Sequence, residues 1–111
     1  MKFVINRSTL SGEARIPGNK SGTARGVIFG SLADGTTTLL NPLTNIDSYS
    51  IVKMMTALGA EIDTSDDKKW IIKGNGGKLK VPACVLDAEN SGTGFYFLLA
   101  LCSLIPGYSV L

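Results

Sequence analysis

The residues best suited to chemistry fall in one run, Ile16-Pro17-Gly18-Asn19-Lys20-Ser21-Gly22-Thr23-Ala24-Arg25. A glycine turn leads there into a helix whose first two turns carry a lysine, two hydroxyls and an arginine. The first N–H groups of a helix lack intrahelical partners, and the macrodipole gives that end a partial positive charge. A phosphate or carboxylate can therefore be held by main chain, Lys20 and Ser21 together, with Arg25 one turn further along the Ser21 face. The plainer reading of the same residues has Asn19 or Ser21 as a helix cap and both cations solvated. A second polar glycine turn, Asn90-Ser91-Gly92-Thr93, also precedes an apolar helical run, so two helix ends could face one anionic ligand.

Composition narrows the chemistry. The chain has 111 residues, a net charge of +2, 44% hydrophobic and 18% charged residues, the composition of one ordinary globular domain and not of a disordered chain. A domain of that size is small for an enzyme that must enclose its substrate, so a shared site is expected. The charge is too mild for nucleic-acid binding. Lys68, Lys69, Lys73, Lys78 and Lys80 cluster, but around Trp70 and glycine turns, as in a solvated hairpin. There is no histidine, and the two cysteines, Cys84 and Cys102, are not in a Cys-x-x-Cys arrangement. That argues against zinc and removes every Ser-His or Cys-His nucleophile. No apolar run reaches membrane-spanning length and the N-terminus has no signal-peptide core, so a reducing, cytoplasmic location is expected.

The elements that must position these residues follow from periodicity. Phe3–Asn6 and Glu13–Ile16 read as short strands around Ser11-Gly12. Ala24, Val27, Ile28, Ser31 and Leu32 form a helical stripe ended by Asp34-Gly35, and Thr36–Leu40 is a β-branched strand. A second helix follows Asn45 or Asp47 as N-cap, buries Ile51, Met54, Met55 and Leu58, and closes at Gly59. Ala60–Thr64 and Lys69–Lys73 make a hairpin anchored by Trp70. A short strand near Val85-Leu86 and a helix to about Leu104 follow, and Tyr108–Leu111 opens a further strand after Pro106-Gly107. The order is a βαβαββ unit followed by the start of another, an α/β (α+β) fold in which the last strand stands unfinished at Val110-Leu111. The chain thus reads as the front portion of a longer polypeptide.

Five segments in order carry a family resemblance: Gly12-Glu13-Ala14-Arg15-Ile16-Pro17-Gly18-Asn19-Lys20-Ser21 with Arg25, Leu32-Ala33-Asp34-Gly35-Thr36-Thr37, Thr56-Ala57-Leu58-Gly59-Ala60, Ile72-Lys73-Gly74-Asn75-Gly76-Gly77, and Leu86-Asp87-Ala88-Glu89-Asn90-Ser91-Gly92-Thr93. Nearly end to end, the chain resembles the 5-enolpyruvylshikimate-3-phosphate synthases, also called 3-phosphoshikimate 1-carboxyvinyltransferases. The resemblance implies an enolpyruvyl transferase of the shikimate pathway to aromatic amino acids, moving enolpyruvyl from phosphoenolpyruvate to shikimate 3-phosphate with no metal or organic cofactor. It implies an inside-out barrel of βαβαββ units, incomplete here: a strand pair at 1–18 that packs with the other domain, a first unit at 19–85, and a truncated second unit at 86–111. Without its partner, the 1–18 segment is expected to be poorly ordered or paired with another copy.

The same resemblance assigns roles. Lys20 would contact both substrates and take part in proton movement, Ser21 and Arg25 would hold shikimate 3-phosphate, and the Asn90–Thr93 turn would border the phosphoenolpyruvate pocket at Gly92. Asn90, Gly92 and Thr93 complete the substrate-binding set. Three departures stand out: Tyr96 replaces an arginine common six residues after the turn's asparagine, Gly22-Thr23-Ala24 replaces a Ser/Asn-rich stretch, and Ile46-Asp47 replaces an acidic pair. The family's other arginines, serine cluster and catalytic carboxylates lie beyond these residues, so the chain alone is expected to be inactive and to need the missing C-terminal part as partner. The sister enzymes acting on UDP-N-acetylglucosamine typically carry asparagine where Ser21 stands. The alternatives from other classes are a non-catalytic module or degenerate homologue that binds small anions with the same helix ends, and a purely structural domain that binds none.

Overall fold

The computed structural model describes residues 1–111. Its elements are α1 (Lys20–Leu32), β1 (Thr36–Leu40), α2 (Ile46–Ala57), β2 (Glu61–Asp66), β3 (Lys69–Lys73) and α3 (Gly92–Cys102). The helix and hairpin expectations hold to within a few residues. Asn45, not Asp47, caps α2, and α3 ends at Cys102, two residues before the expected stop. Gly59 closes α2 at φ +105°, a conformation that glycine adopts at no steric cost.

The sheet order is β1-β3-β2, with β3 antiparallel to both neighbours. β1 and β2 therefore run parallel on either side of β3, and α2 is the crossover between them. Alternation then selects the inner face: Trp70 and Ile72 of β3 lie opposite Leu39 and Thr37 of β1, and Ile62 of β2 sits beside Ile72. α1 and α2 cover that face, while α3 packs on the far side of the two helices. Val27, Ile28, Met54, Met55 and Leu58 belong to one buried apolar core with Trp70, whose ring lies 5.4 Å from that of Tyr49. The outer face is solvated, with Lys73 and Glu61 paired at 3.0 Å.

Four expected strands do not form. Phe3–Asn6 and Glu13–Ile16 are exposed and irregular, tied to the body by Arg15, whose guanidinium donates to Asn41 Oδ1 at 3.2 Å. An isolated two-stranded pair is marginal in water, and neither segment pairs with the open outer edges of β1 and β2. Val85-Leu86 and Tyr108–Leu111 lie together through a single main-chain bond, Leu86 N–H to Val110 C=O at 2.8 Å, too little for a ladder.

The chain's approach to α1 is fixed by close backbone contact. A Cβ on Gly18 would stand 2.3 Å from the Asn41 carbonyl oxygen and 2.8 Å from Leu43 N. One turn on, buried Thr23 accepts a hydrogen bond from Leu43 N–H at 2.8 Å. The start of α1 is thereby clamped to the β1–α2 loop, so that the first turns of α1 and α2 become neighbours. Gly18→Ala is expected to cost about 1–3 kcal/mol or more, because rigid backbone must yield. Thr23→Val, which leaves Leu43 N–H unpaired, is expected to cost about 1–3 kcal/mol. Urea unfolding monitored by Trp70 fluorescence measures both; a Gly18→Ala chain as stable as the parent would refute the clamp.

Candidate functional site

Each helix begins with the same local chemistry. Asn19 Oδ1 accepts from Gly22 N–H at 2.6 Å, Asn45 Oδ1 from Ser48 N–H at 3.0 Å, and Ser91 Oγ from Gly94 N–H at 3.1 Å. In all three the cap satisfies the third helical N–H and leaves the first two without an intrahelical acceptor. Those free donors belong to Lys20 and Ser21, to Ile46 and Asp47, and to Gly92 and Thr93.

The three helix starts meet. One narrow cleft is lined by Lys20, Ser21 and Ala24 of α1, by Asp47, Ser48 and Ile51 of α2, and by Ser91 and Thr93 at the head of α3. Its space is about 10 Å³, the size of a single water. Across it the Lys20 ammonium is ion-paired with Asp47 Oδ2; the Lys20 side chain is 50% exposed and that of Asp47 only 10%. Asp47 Oδ1 and Ser48 Oγ are buried and find no hydrogen-bond partner within the protein. Three positive helix ends, one half-exposed cation and several hydroxyls suit an anionic group, with a single carboxylate already among them.

Of the six residues singled out in the sequence, the structure brings Lys20, Ser21 and Thr93 to this cleft. Arg25, Asn90 and Gly92 are exposed and do not line it. Arg25 lies one turn along α1 from Ser21, while Asn90 and Gly92 flank the buried cap Ser91. Sequence reasoning did not place Asp47, Ser48 and Ser91 in the site. The signal for Asp47 and Ser48 is the Asn45-Ile46-Asp47-Ser48 run, a cap with an acid in the first turn, and that for Ser91 is the Asn90-Ser91-Gly92-Thr93 turn, in which it is the cap.

The glycines of α3 separate packing from access. A Cβ on Gly94 would meet Ile51 Cγ1 at 2.8 Å, Ser91 Oγ at 2.9 Å and Met54 Cε at 3.2 Å, so Gly94 lets α3 sit directly on α2. A Cβ on Gly92 would meet nothing within 4 Å. Gly94→Ala is expected to destabilise by about 1–3 kcal/mol. Gly92→Ala, at the first turn of a helix, is expected to be neutral or to stabilise by about 0.4–1 kcal/mol. Denaturant midpoints decide this; equal losses at both positions would mean that α3 does not pack on α2 as described.

The sequence profile of the EPSP synthase (3-phosphoshikimate 1-carboxyvinyltransferase) family matches residues 4–111. The 3-phosphoshikimate 1-carboxyvinyltransferase of Methanococcus aeolicus is 44% identical over 112 residues, covering 100% of this chain and 26% of the relative. That of Acetivibrio thermocellus is 41% identical over 110 residues, covering 99% of this chain and 26% of the relative. The solved structure of EPSP synthase from Acinetobacter baumannii superposes with a TM-score of 0.77 at 32% identity, covering 83% of this chain and 21% of that one. The chain thus spans about a quarter of the length of the curated relatives it matches.

Proposed function

The chain belongs to the EPSP synthase family, with the family's mixed α/β fold in incomplete form, and from that premise we propose that it forms one wall of an enolpyruvyl transfer site. The reaction moves enolpyruvyl from phosphoenolpyruvate to the 5-hydroxyl of shikimate 3-phosphate and releases phosphate. The observation that carries this reading is the convergence of three capped helix starts on one cleft beside Lys20, Ser21 and Thr93. Both substrates are anions, and the cleft offers them fixed N–H donors and a cation.

In this reading Lys20 bridges the two substrates, and Ser21 and Arg25 hold shikimate 3-phosphate. Asn90, Gly92 and Thr93 border the phosphoenolpyruvate side, where the open space at Gly92 leaves room for ligand. Protonating the methylene of phosphoenolpyruvate builds cationic character on the neighbouring carbon, and the substrate hydroxyl adds there. The hydroxyl proton is lost on addition, and the tetrahedral ketal phosphate then loses phosphate together with a proton from its new methyl group, which re-forms the double bond and leaves the enolpyruvyl ether. Preorganised donors assist by holding phosphate and carboxylate in place and by stabilising the leaving group. Lys20 is the one ionisable side chain of the cleft able to donate a proton as an ammonium.

The same reading assigns the chain's parts. Residues 1–18 pack with another domain, 19–85 form the first βαβαββ unit and 86–111 begin the second, so that the remaining substrate contacts come from further units and these residues alone do not turn over. Two unpaired cysteines, Cys84 exposed and Cys102 buried, accord with a cytoplasmic setting. No helix is long and apolar enough to cross a membrane.

A non-catalytic anion-binding module is the second reading, favoured by Tyr96, which is 72% exposed where the family commonly has an arginine. The native polypeptide that contains these residues, at its natural length, separates the two. Its intact mass comes first: a mass several times 11.7 kDa is expected for a complete transferase, and 11.7 kDa would leave the module. Turnover with both substrates is then expected to fall about 100-fold or more in Lys20→Met. Arg25→Ala is expected to raise the KM for shikimate 3-phosphate about tenfold. Binding of many phosphates without preference, and without turnover, would favour the module.

A further inference from the structure

We propose that Asp47 makes the cleft selective: it holds Lys20 against bare anions and accepts a hydroxyl from a ligand that carries one beside its anionic group. The inference rests on the anion-site reading above and adds to it a specificity-determining residue. Three observations point the same way. Asp47 Oδ2 is bound to Lys20, so an incoming anion must share or displace that contact. The Asp47 side chain lines the cleft and is nine-tenths buried, and its Oδ1 is buried without a donor. Beside it Ser48 Oγ is also buried and unpartnered, in a space that fits one oxygen atom and its hydrogens.

Desolvated polar atoms without partners are costly, more so when charged. A bare anion that takes Lys20 away from Asp47 leaves a buried carboxylate without its counterion and with Oδ1 still lacking a donor, a loss the helix ends offset only in part. A hydroxylated phosphate ester avoids that cost. Its phosphate meets Lys20 and the free helix N–H groups, while its hydroxyl donates to Asp47 Oδ1 and accepts from Ser48. Lys20 and Asp47 are the ionisable side chains lining the cleft, so the selection lies in this pair. Asp47 keeps its place because it sits in the first turn of α2, where the helix dipole favours a carboxylate.

The test compares inorganic phosphate and shikimate 3-phosphate as ligands of the native polypeptide at its natural length, by calorimetry, in the parent, Asp47→Asn and Ser48→Ala. Asp47→Asn keeps shape and main-chain bonds. It is expected to tighten inorganic phosphate roughly 3- to 10-fold by releasing Lys20. The preference for shikimate 3-phosphate over phosphate is expected to fall at least about tenfold, the worth of a hydrogen bond to a charged group. Ser48→Ala, which removes an unpaired hydroxyl and keeps the fold should Asp47→Asn lose it, is expected to weaken shikimate 3-phosphate about 3- to 10-fold and leave phosphate unchanged. An unchanged preference in both variants overturns the proposal while leaving the transferase reading intact. A parent that binds neither ligand, with phosphate binding gained in Asp47→Asn, supports the role of Asp47 and defeats the transferase reading. No binding by any of the three defeats both.

Discussion

Three helices cannot aim their N-termini at one point without a like-signed electrostatic cost, because each end carries a partial positive charge and unpaired N–H groups. The fold brings α1, α2 and α3 together in that way and places Lys20 there as well. Asp47 supplies the compensating negative charge inside the protein, held between the α2 start and Lys20. The rest of the architecture follows from keeping the three ends in register. Gly18 and Thr23 lock α1 to the loop before α2, and Gly94 lets α3 settle on Ile51 and Met54. The apolar core beneath, which includes Trp70, holds the two clamped helices on the sheet.

What the sequence revealed depended on whether the information was local. The α1 stripe of Ala24, Val27, Ile28 and Ser31 is buried as its spacing demands, and Asn19 caps the helix three residues before Gly22. The β2–β3 hairpin and the α2 face of Ile51, Met54 and Met55 were equally legible, because period and punctuation agree there. The N-terminal runs failed for the opposite reason. Phe3–Asn6 has strand residues, but a strand is a pairing, and this segment pairs with neither open edge of the sheet. The same holds at Leu86 and Val110, where the residues meet through one bond and go no further.

The site was half legible for a related reason. Lys20, Ser21 and Thr93 announce themselves by type and by their place at helix starts. Asp47 could be read from sequence only as a helix-start acid, since its partner Lys20 lies 27 positions away by simple subtraction of their numbers and meets it only after β1 reverses the chain. Ser91 looked like one more polar turn residue, yet it is the buried cap that sets the direction of α3. Spacing within one element is visible in a sequence, whereas the convergence of three elements is a property of topology.

Tyr96 stands on α3 outside the cleft. It lies on α3 one turn after Thr93, exposed, beside a shallow surface shared with Thr93 and Phe97. A cation at that position would add to a field that the three helix ends and Lys20 already create, so its replacement by a phenol weakens long-range attraction more than local contact. The N–H donors are main-chain groups and survive any side-chain change that keeps the caps. Asn19, Asn45 and Ser91 each consume the third N–H of their helix and leave the first two without an intrahelical acceptor, so the free donors at each helix start depend on its cap. A site built on capped helix ends loses its geometry through its caps before it loses its charge through its cations.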